Sequence, residues 1–165
     1  MAWLILVGPF DSEIPPTYDT FWLYIHIGFG KFFLGFMLVA LMIAIAILAR
    51  SFRPGLAFAT KWPAQPALDE LMHRFVAGSM LFNTLMLVSG AIWAQDAWGQ
   101  YWTWDPLETW ALIVWVLQGM TLHVHRTMAR SETRGAILVM SIFLIAFLNF
   151  LGIPFLNQSP HKGLF

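Results

Sequence analysis

Apolar residues run along this chain in long blocks, not in the alternation of a strand or the narrow stripe of a water-facing helix. A bilayer-spanning helix needs about 20 mostly apolar residues. Four windows meet that requirement: 20–49, interrupted by Lys31, then 75–94, 106–125 and 136–153. They are apolar nearly all round, so their packing faces must be sought where small and polar side chains fall. The pattern predicts an all-α fold, an integral membrane bundle of four transmembrane helices in a single membrane domain over 1–165. Residues 1–19 read as an outer N-terminal segment, with Trp3 and Phe10 as interfacial anchors and Pro15 and Pro16 ending any local structure. That segment lacks a basic start and a small-residue cleavage site, which argues against a signal peptide. Residues 51–67, with Pro54, Pro63 and Pro66, read as an inner loop; 95–105 form an outer loop and 154–165 an outer tail.

Charge orients the bundle. Arg50, Arg53, Lys61 and Arg74 lie between the first and second windows, and Arg126, Arg130 and Arg134 between the third and fourth. The 95–105 loop has no Lys or Arg, and the tail has only Lys162. Basic residues mark the cytoplasmic side of a membrane protein, so both termini and the 95–105 loop are expected to be extracytoplasmic. Composition agrees with the membrane reading. Only 11% of residues are charged and 59% are hydrophobic, too few polar groups to cover a water-facing surface or to sustain disorder. Nine basic residues balance nine acidic ones, so no global charge recruits nucleic acid. With no cysteine, disulfides, thiolate metal sites and covalent haem attachment to this chain are excluded. Metal chemistry is left to His26, His73, His123, His125 and His161.

Six of the nine tryptophans fall between Trp93 and Trp115, together with Tyr101. An interfacial belt supplies such residues at helix ends, but it explains this density poorly. A dense aromatic floor suits a flat, largely apolar ligand held by stacking. Asp105, Pro106, Leu107 and Glu108 fit the N-cap, N1, N2 and N3 positions of the third helix, so both carboxylates have a purely structural reading as a capping box. Asn83, Thr84 and Asn149, polar groups at membrane depth, are explained by interhelical hydrogen bonds.

The run WAQDAWGQYWTWDPLETWALIVW closely resembles the tryptophan-rich WWD signature of haem-handling membrane proteins. Among these it is most similar to the CcsA (ResC) type of system II cytochrome c biogenesis, more than to CcmC or CcmF. Trp22-Leu23-Tyr24-Ile25-His26, Leu68-Asp69-Glu70 with Arg74, Ser89-Gly90-Ala91-Ile92-Trp93, Leu122-His123 and Leu151-Gly152-Ile153 resemble the same family in order. The likeness covers 15–165 and corresponds to the C-terminal half of a typical member, as expected of a split, reduced or repurposed relative.

The resemblance implies haem b, held at the outer loop by two external histidines and joined there to the CxxCH motif of a c-type apocytochrome. A deeper histidine holds a second haem, and a CcsB/ResB-like membrane subunit supplies its other ligand. Such a chain is at most part of a holocytochrome c synthase, acting with that partner in a bacterial inner membrane or a thylakoid membrane. By position, His26 matches the first external ligand, His161 the second and His123 the membrane-haem ligand, with Trp98, Trp102, Trp104 and Asp105 belonging to the loop. Each has an ordinary reading beside it: a histidine bonded within the bundle for His26, an exposed tail residue for His161, an interfacial helix end for His123. Glycines at 28, 30 and 35 would admit a helix or a haem face, and Lys31 could pair with Asp96, Glu108 or a propionate. His125 is read as a headgroup contact.

His73 stands where the family has an aromatic residue; its ordinary reading is a cytoplasmic interface residue beside Arg74, and the alternative is a bis-histidine site closed with His123. That pairing would favour a different class of function, a haem-b-binding subunit of an electron-transfer (respiratory) membrane complex. An accessory subunit without haem is the third possibility.

Overall fold

The computed structural model describes residues 18–52, 62–127 and 131–151, apart from the side chains of Arg126 and Leu151. The N-terminal segment through residue 17, the centre of the 51–67 loop, and the tail with His161 lie outside the described residues. Four helices follow one another: α1 (Phe21–Phe52), α2 (Gln65–Trp98), α3 (Pro106–Thr127) and α4 (Glu132–Leu151). Each is long and apolar enough to cross a membrane, and no strand occurs among the described residues. The chain is thus an all-α bundle of four membrane-spanning-capable helices.

The helices outrun the apolar windows, most of all α2. It begins ten residues before the 75–94 window and continues four beyond it. Hydropathy marks the part of a helix suited to lipid, whereas the helix itself ends where the backbone is capped. At the start of α2, Pro66 occupies the first turn, where a missing N–H costs nothing. At its end Gly99 adopts φ 79°, and its N–H returns to the Gln95 carbonyl at 3.0 Å. That left-handed stop favours glycine.

α1 packs along α2 and α4, and α3 along α2 and α4, so the helices form a ring of antiparallel neighbours. α2 and α4 run parallel across its short diagonal: Gly135 of α4 lies beside Asp69 and His73 at the same end. The core seam of α1 is Phe33, Met37, Ala40, Ala44 and Ile47, a heptad-like spacing that keeps one face on its neighbours. Met72, Val76 and Met86 of α2, Val114 of α3, and Ala136, Val139 and Ile142 of α4 complete the core. Small residues admit close approach. A Cβ on Gly78 would stand 2.6 Å from two ring carbons of Phe36, and one on Gly30 3.0 Å from Phe150. Gly30 therefore seats α4, not a ligand face, while Gly28 and Gly35 meet nothing within 4 Å.

At mid-bundle lies a buried polar chain. Ser79 donates to the Phe33 carbonyl (3.1 Å), Gln118 donates to Ser79 (2.8 Å), and Asn83 donates to the Gln118 side-chain oxygen (3.0 Å). The three side chains are fully buried. Beside it, Trp115 Nε1 donates to Thr84 (2.8 Å), and Asn149 donates to the Leu107 carbonyl (3.4 Å). Interhelical bonding of Asn83, Thr84 and Asn149 was legible; Gln118, which links Asn83 to Ser79, was not singled out. Large apolar side chains such as Phe21, Phe32, Met42, Leu81 and Leu148 point outward. In water these would be a liability, whereas lipid solvates them.

Candidate functional site: an aromatic cavity beside His26

The tryptophan loop closes one end of the bundle, and its geometry starts from a cap. Asp105 Oδ1 accepts the Glu108 N–H at 2.9 Å, as an N-cap should. Glu108 does not return to the Asp105 N–H. Its Oε2 instead takes the N–H of Thr103 (2.8 Å) and the Thr103 hydroxyl (3.2 Å). The capping box is thereby stretched by two residues, and it ties down the loop as well as the helix. Between Thr103 and Asp105, Trp104 is forced to φ 60°. A bulky residue in the left-handed region is strained, and such strain gathers where structure serves function. Asp105 is buried with its Oδ1 committed to the cap.

The aromatic residues sort into two groups. Trp93 and Trp98 meet edge to face at 4.9 Å, each also against Tyr18 at 6.0 Å, and Trp93 Nε1 donates to the Tyr18 carbonyl (2.9 Å). Trp102 and Trp104 form a second T-shaped pair at 5.8 Å. Trp104 and Tyr101 are largely exposed. Trp93 is buried and lies parallel to the His26 ring at 6.1 Å between centroids.

His26 is held on three sides. Its Nδ1 lies 2.9 Å from the Met86 carbonyl oxygen. A carbonyl only accepts, so Nδ1 carries the hydrogen, and in the neutral ring Nε2 is the acceptor nitrogen. Metal-binding histidines are commonly oriented in this way, the second nitrogen donating to a backbone carbonyl. The ring fits only because residue 90 is glycine: a Cβ there would stand 2.7 Å from Nδ1. The Gly90 of the Ser89–Trp93 run thus has a local reason.

A cavity of about 340 Å³ opens beside it, lined mainly by apolar atoms. Its walls include His26, Trp93, Tyr101, Trp102, Ala111 and Phe150, with Lys31 and Glu108 adding charge. Among the described residues Lys31 makes no ion pair. Trp102 Nε1 and Asn149 Oδ1, from residues of the lining, are buried with no hydrogen-bond partner among the described residues. One donor, one acceptor, an oriented imidazole and a flat aromatic wall fit a planar, mostly apolar ligand.

Of the expected loop residues, Trp102 lines this cavity, whereas Trp98 and Trp104 do not. Trp93, the first residue of the run, was missed as a site residue. Only its contact with α1 reveals it. His161 lies outside the described residues.

The ring that His73 meets is not the His123 of the alternative pairing. His123 sits on an exposed face of α3, and the residue that meets His73 is His125, ring on ring at 3.6 Å. Residues 123 and 125 point to different sides of a helix, and the register of α3 on α2 brings the second one inward. His125 accordingly contacts Asp69 and Glu70 as well. The headgroup role expected for His125 is replaced by these contacts.

The chain is 40% identical to the "Cytochrome c biogenesis protein CcsA" of Mesostigma viride over 95 residues, 58% of this chain and 31% of the relative. It is 40% identical to that of Porphyra purpurea over 96 residues, 58% of this chain and 30% of the relative. For Trichormus variabilis the figures are 38% over 95 residues, 58% and 27%. The alignments therefore cover about three tenths of the length of these relatives. Residues 4–161 match the family described as "Cytochrome C assembly protein", and with nearly its whole length matched, this chain belongs to that family.

Proposed function

We propose that this chain acts in cytochrome c biogenesis by presenting haem b at the aromatic cavity for attachment to a c-type apocytochrome. The observation that carries the reading is His26: an imidazole with Nδ1 committed to Met86, stacked on Trp93, at the wall of an apolar cavity. His26 and His161 would hold the haem iron. Haem supplies the vinyl groups and the apocytochrome the thiols, so the chain contributes position, an apolar wall and exclusion of water. No nucleophile or acid–base pair is required of it. Axial imidazole also bears on the iron potential.

The basic residues at the far end of the bundle set the orientation of this reading. Arg50, Arg74 and Arg134 face the cytoplasm, and the loop faces outward in a bacterial inner membrane or a thylakoid membrane. Exposed His123, near the inner end of α3, suits a ligand shared with a CcsB/ResB-like subunit bound alongside. Any synthase activity belongs to that assembly.

Pyridine-haemochrome assays on gently purified protein test the reading, with wild type beside His26→Ala and His161→Ala. Exchangeable haem b, lost in both variants and restored by imidazole, is the expected result. Stoichiometric haem that is redox-reversible and indifferent to both substitutions would instead identify an electron-transfer subunit. Orientation has its own check. The chain has no cysteine, so Gln100→Cys can be labelled without background, and an impermeant maleimide should reach it from the outer side only.

A further inference from the structure

At the opposite end of the bundle, Asp69, His73 and His125 converge, and the haem reading uses none of them. Each offers a ligand atom within 4.8 Å of the others. Asp69 and His73 are one turn apart on α2, and His125 reaches them from α3. His73 Nδ1 donates to the Asp69 carbonyl oxygen at 2.8 Å. Its hydrogen is thereby directed away from the Asp69 carboxylate, whose Oδ1 lies 3.5 Å from the same nitrogen. That oxygen is buried and accepts no hydrogen bond among the described residues. His125 has a carboxylate beside each ring nitrogen: Asp69 Oδ2 at 3.4 Å from Nδ1 and Glu70 Oε2 at 3.4 Å from Nε2. Glu70 is also paired with Arg74 at 3.1 Å, so Asp69 is the carboxylate whose charge is least answered.

Haem does not fit here. Axial ligands approach iron from opposite faces, nitrogen towards nitrogen. The rings of His73 and His125 are instead stacked, 3.6 Å between centroids and 12° from parallel. Stacked imidazoles lie in parallel planes, so one ring must turn out of the stack for both in-plane lone pairs to meet on a single small ion. Two imidazoles and a carboxylate are a donor set for first-row divalent transition metals, and too poor in oxygen for calcium or magnesium.

We propose that Asp69, His73 and His125 bind one divalent transition-metal ion of the zinc class, tying α2 to α3. His73 ligates through Nε2, its Nδ1 hydrogen already fixed on the Asp69 carbonyl in the usual outer-shell arrangement. Metal–ligand bonds of about 2.0–2.2 Å place neighbouring donors about 3.3 Å apart in a tetrahedron. Turning the His125 ring out of the stack, with donor movements of up to about 1.5 Å, closes the present spacing of at most 4.8 Å to that value. Glu70 or a water completes four-coordination. α4 leaves the room: a Cβ at Gly135 would stand 3.4 Å from Asp69 Oδ1 and 3.5 Å from His73 Cε1.

The test uses the full chain, purified in detergent without a polyhistidine tag, stripped with chelator and titrated with Co²⁺. One equivalent should bind with visible d–d absorption, and stoichiometric Zn²⁺ should bleach it. His125→Ala and Asp69→Asn should each weaken Co²⁺ binding at least ~10-fold, and His26→Ala should leave it unchanged. Helix content by circular dichroism checks folding, and His125→Gln replaces the alanine variant if that one fails. Absence of a 1:1 complex overturns the proposal, as does weak multi-site binding that persists in the His125 variants. Haem content of the His125 variants separates the two sites: retained haem with lost Co²⁺ is expected, and parallel loss of both would also overturn it.

Discussion

Gly90→Ala is the most informative single substitution, because it adds one methyl group and moves one ring. The new Cβ would lie 2.7 Å from His26 Nδ1 and 2.8 Å from Cε1. Heavy atoms settle at about 3.5–4.0 Å, so the imidazole must withdraw by about 1 Å. That stretches the 2.9 Å bond to Met86 beyond hydrogen-bonding range. Losing the bond alone removes about 0.5–1.5 kcal/mol. Losing the outer-shell partner of a metal-bound histidine typically lowers metal affinity about 10–100-fold. The helix itself works the other way, since alanine in place of mid-helix glycine stabilises by about 1 kcal/mol. Overpacking costs about 1–3 kcal/mol. The fold should therefore lose at most ~3.5 kcal/mol while haem retention falls by an order of magnitude or more. Haem content by pyridine haemochrome, beside thermal unfolding in detergent, measures both. Free imidazole should restore less haem to Gly90→Ala than to His26→Ala, because the displaced ring still crowds the cavity. Wild-type haem retention in Gly90→Ala would refute the reasoning, since the ring it displaces would then not be a ligand.

Other substitutions probe other links. Gly78→Ala, with a Cβ 2.6 Å from the Phe36 ring, should destabilise by about 1–3 kcal/mol, whereas Gly28→Ala, facing open space, should be neutral or stabilising in the same detergent melt. Gln118→Leu strips the partner from buried Asn83 and Ser79; because such bonds inside membranes average only about 0.6 kcal/mol, the melt should show a loss near ~1 kcal/mol, not the larger penalty of a soluble core. Asp105→Ala should lose about 0.5–2 kcal/mol with its cap, and Asp105→Asn most of nothing; haem lost from the asparagine variant despite an intact fold would show that Asp105 does more than cap α3.

The sequence determined this protein's solvent. Blocks of apolar residues around the lengths that cross lipid, and so little charge, leave no other way to satisfy the side chains, and the helices formed where the blocks lay. The Asp105 cap of α3 was legible, because an N-cap is a contact over three residues, whereas the reach of Glu108 to Thr103 instead of to the Asp105 N–H was not. His26 was legible through its resemblance to a family pattern. What sets its ring was not, since Met86, Gly90 and Trp93 lie some sixty residues away in α2, and only the antiparallel packing of α1 on α2 brings them together. The same holds at the other end. His123 and His125 differ by two residues and so by side of the helix, and nothing local says which side faces α2. The register of α3, set by Gln118 on Ser79 and Asn83 and by Trp115 on Thr84, turns His125 towards His73 and leaves His123 on the surface. Local contacts are written in the order of residues, whereas rotation of one apolar helix against another is decided by long-range packing that a nearly uniform hydrophobic surface does not encode.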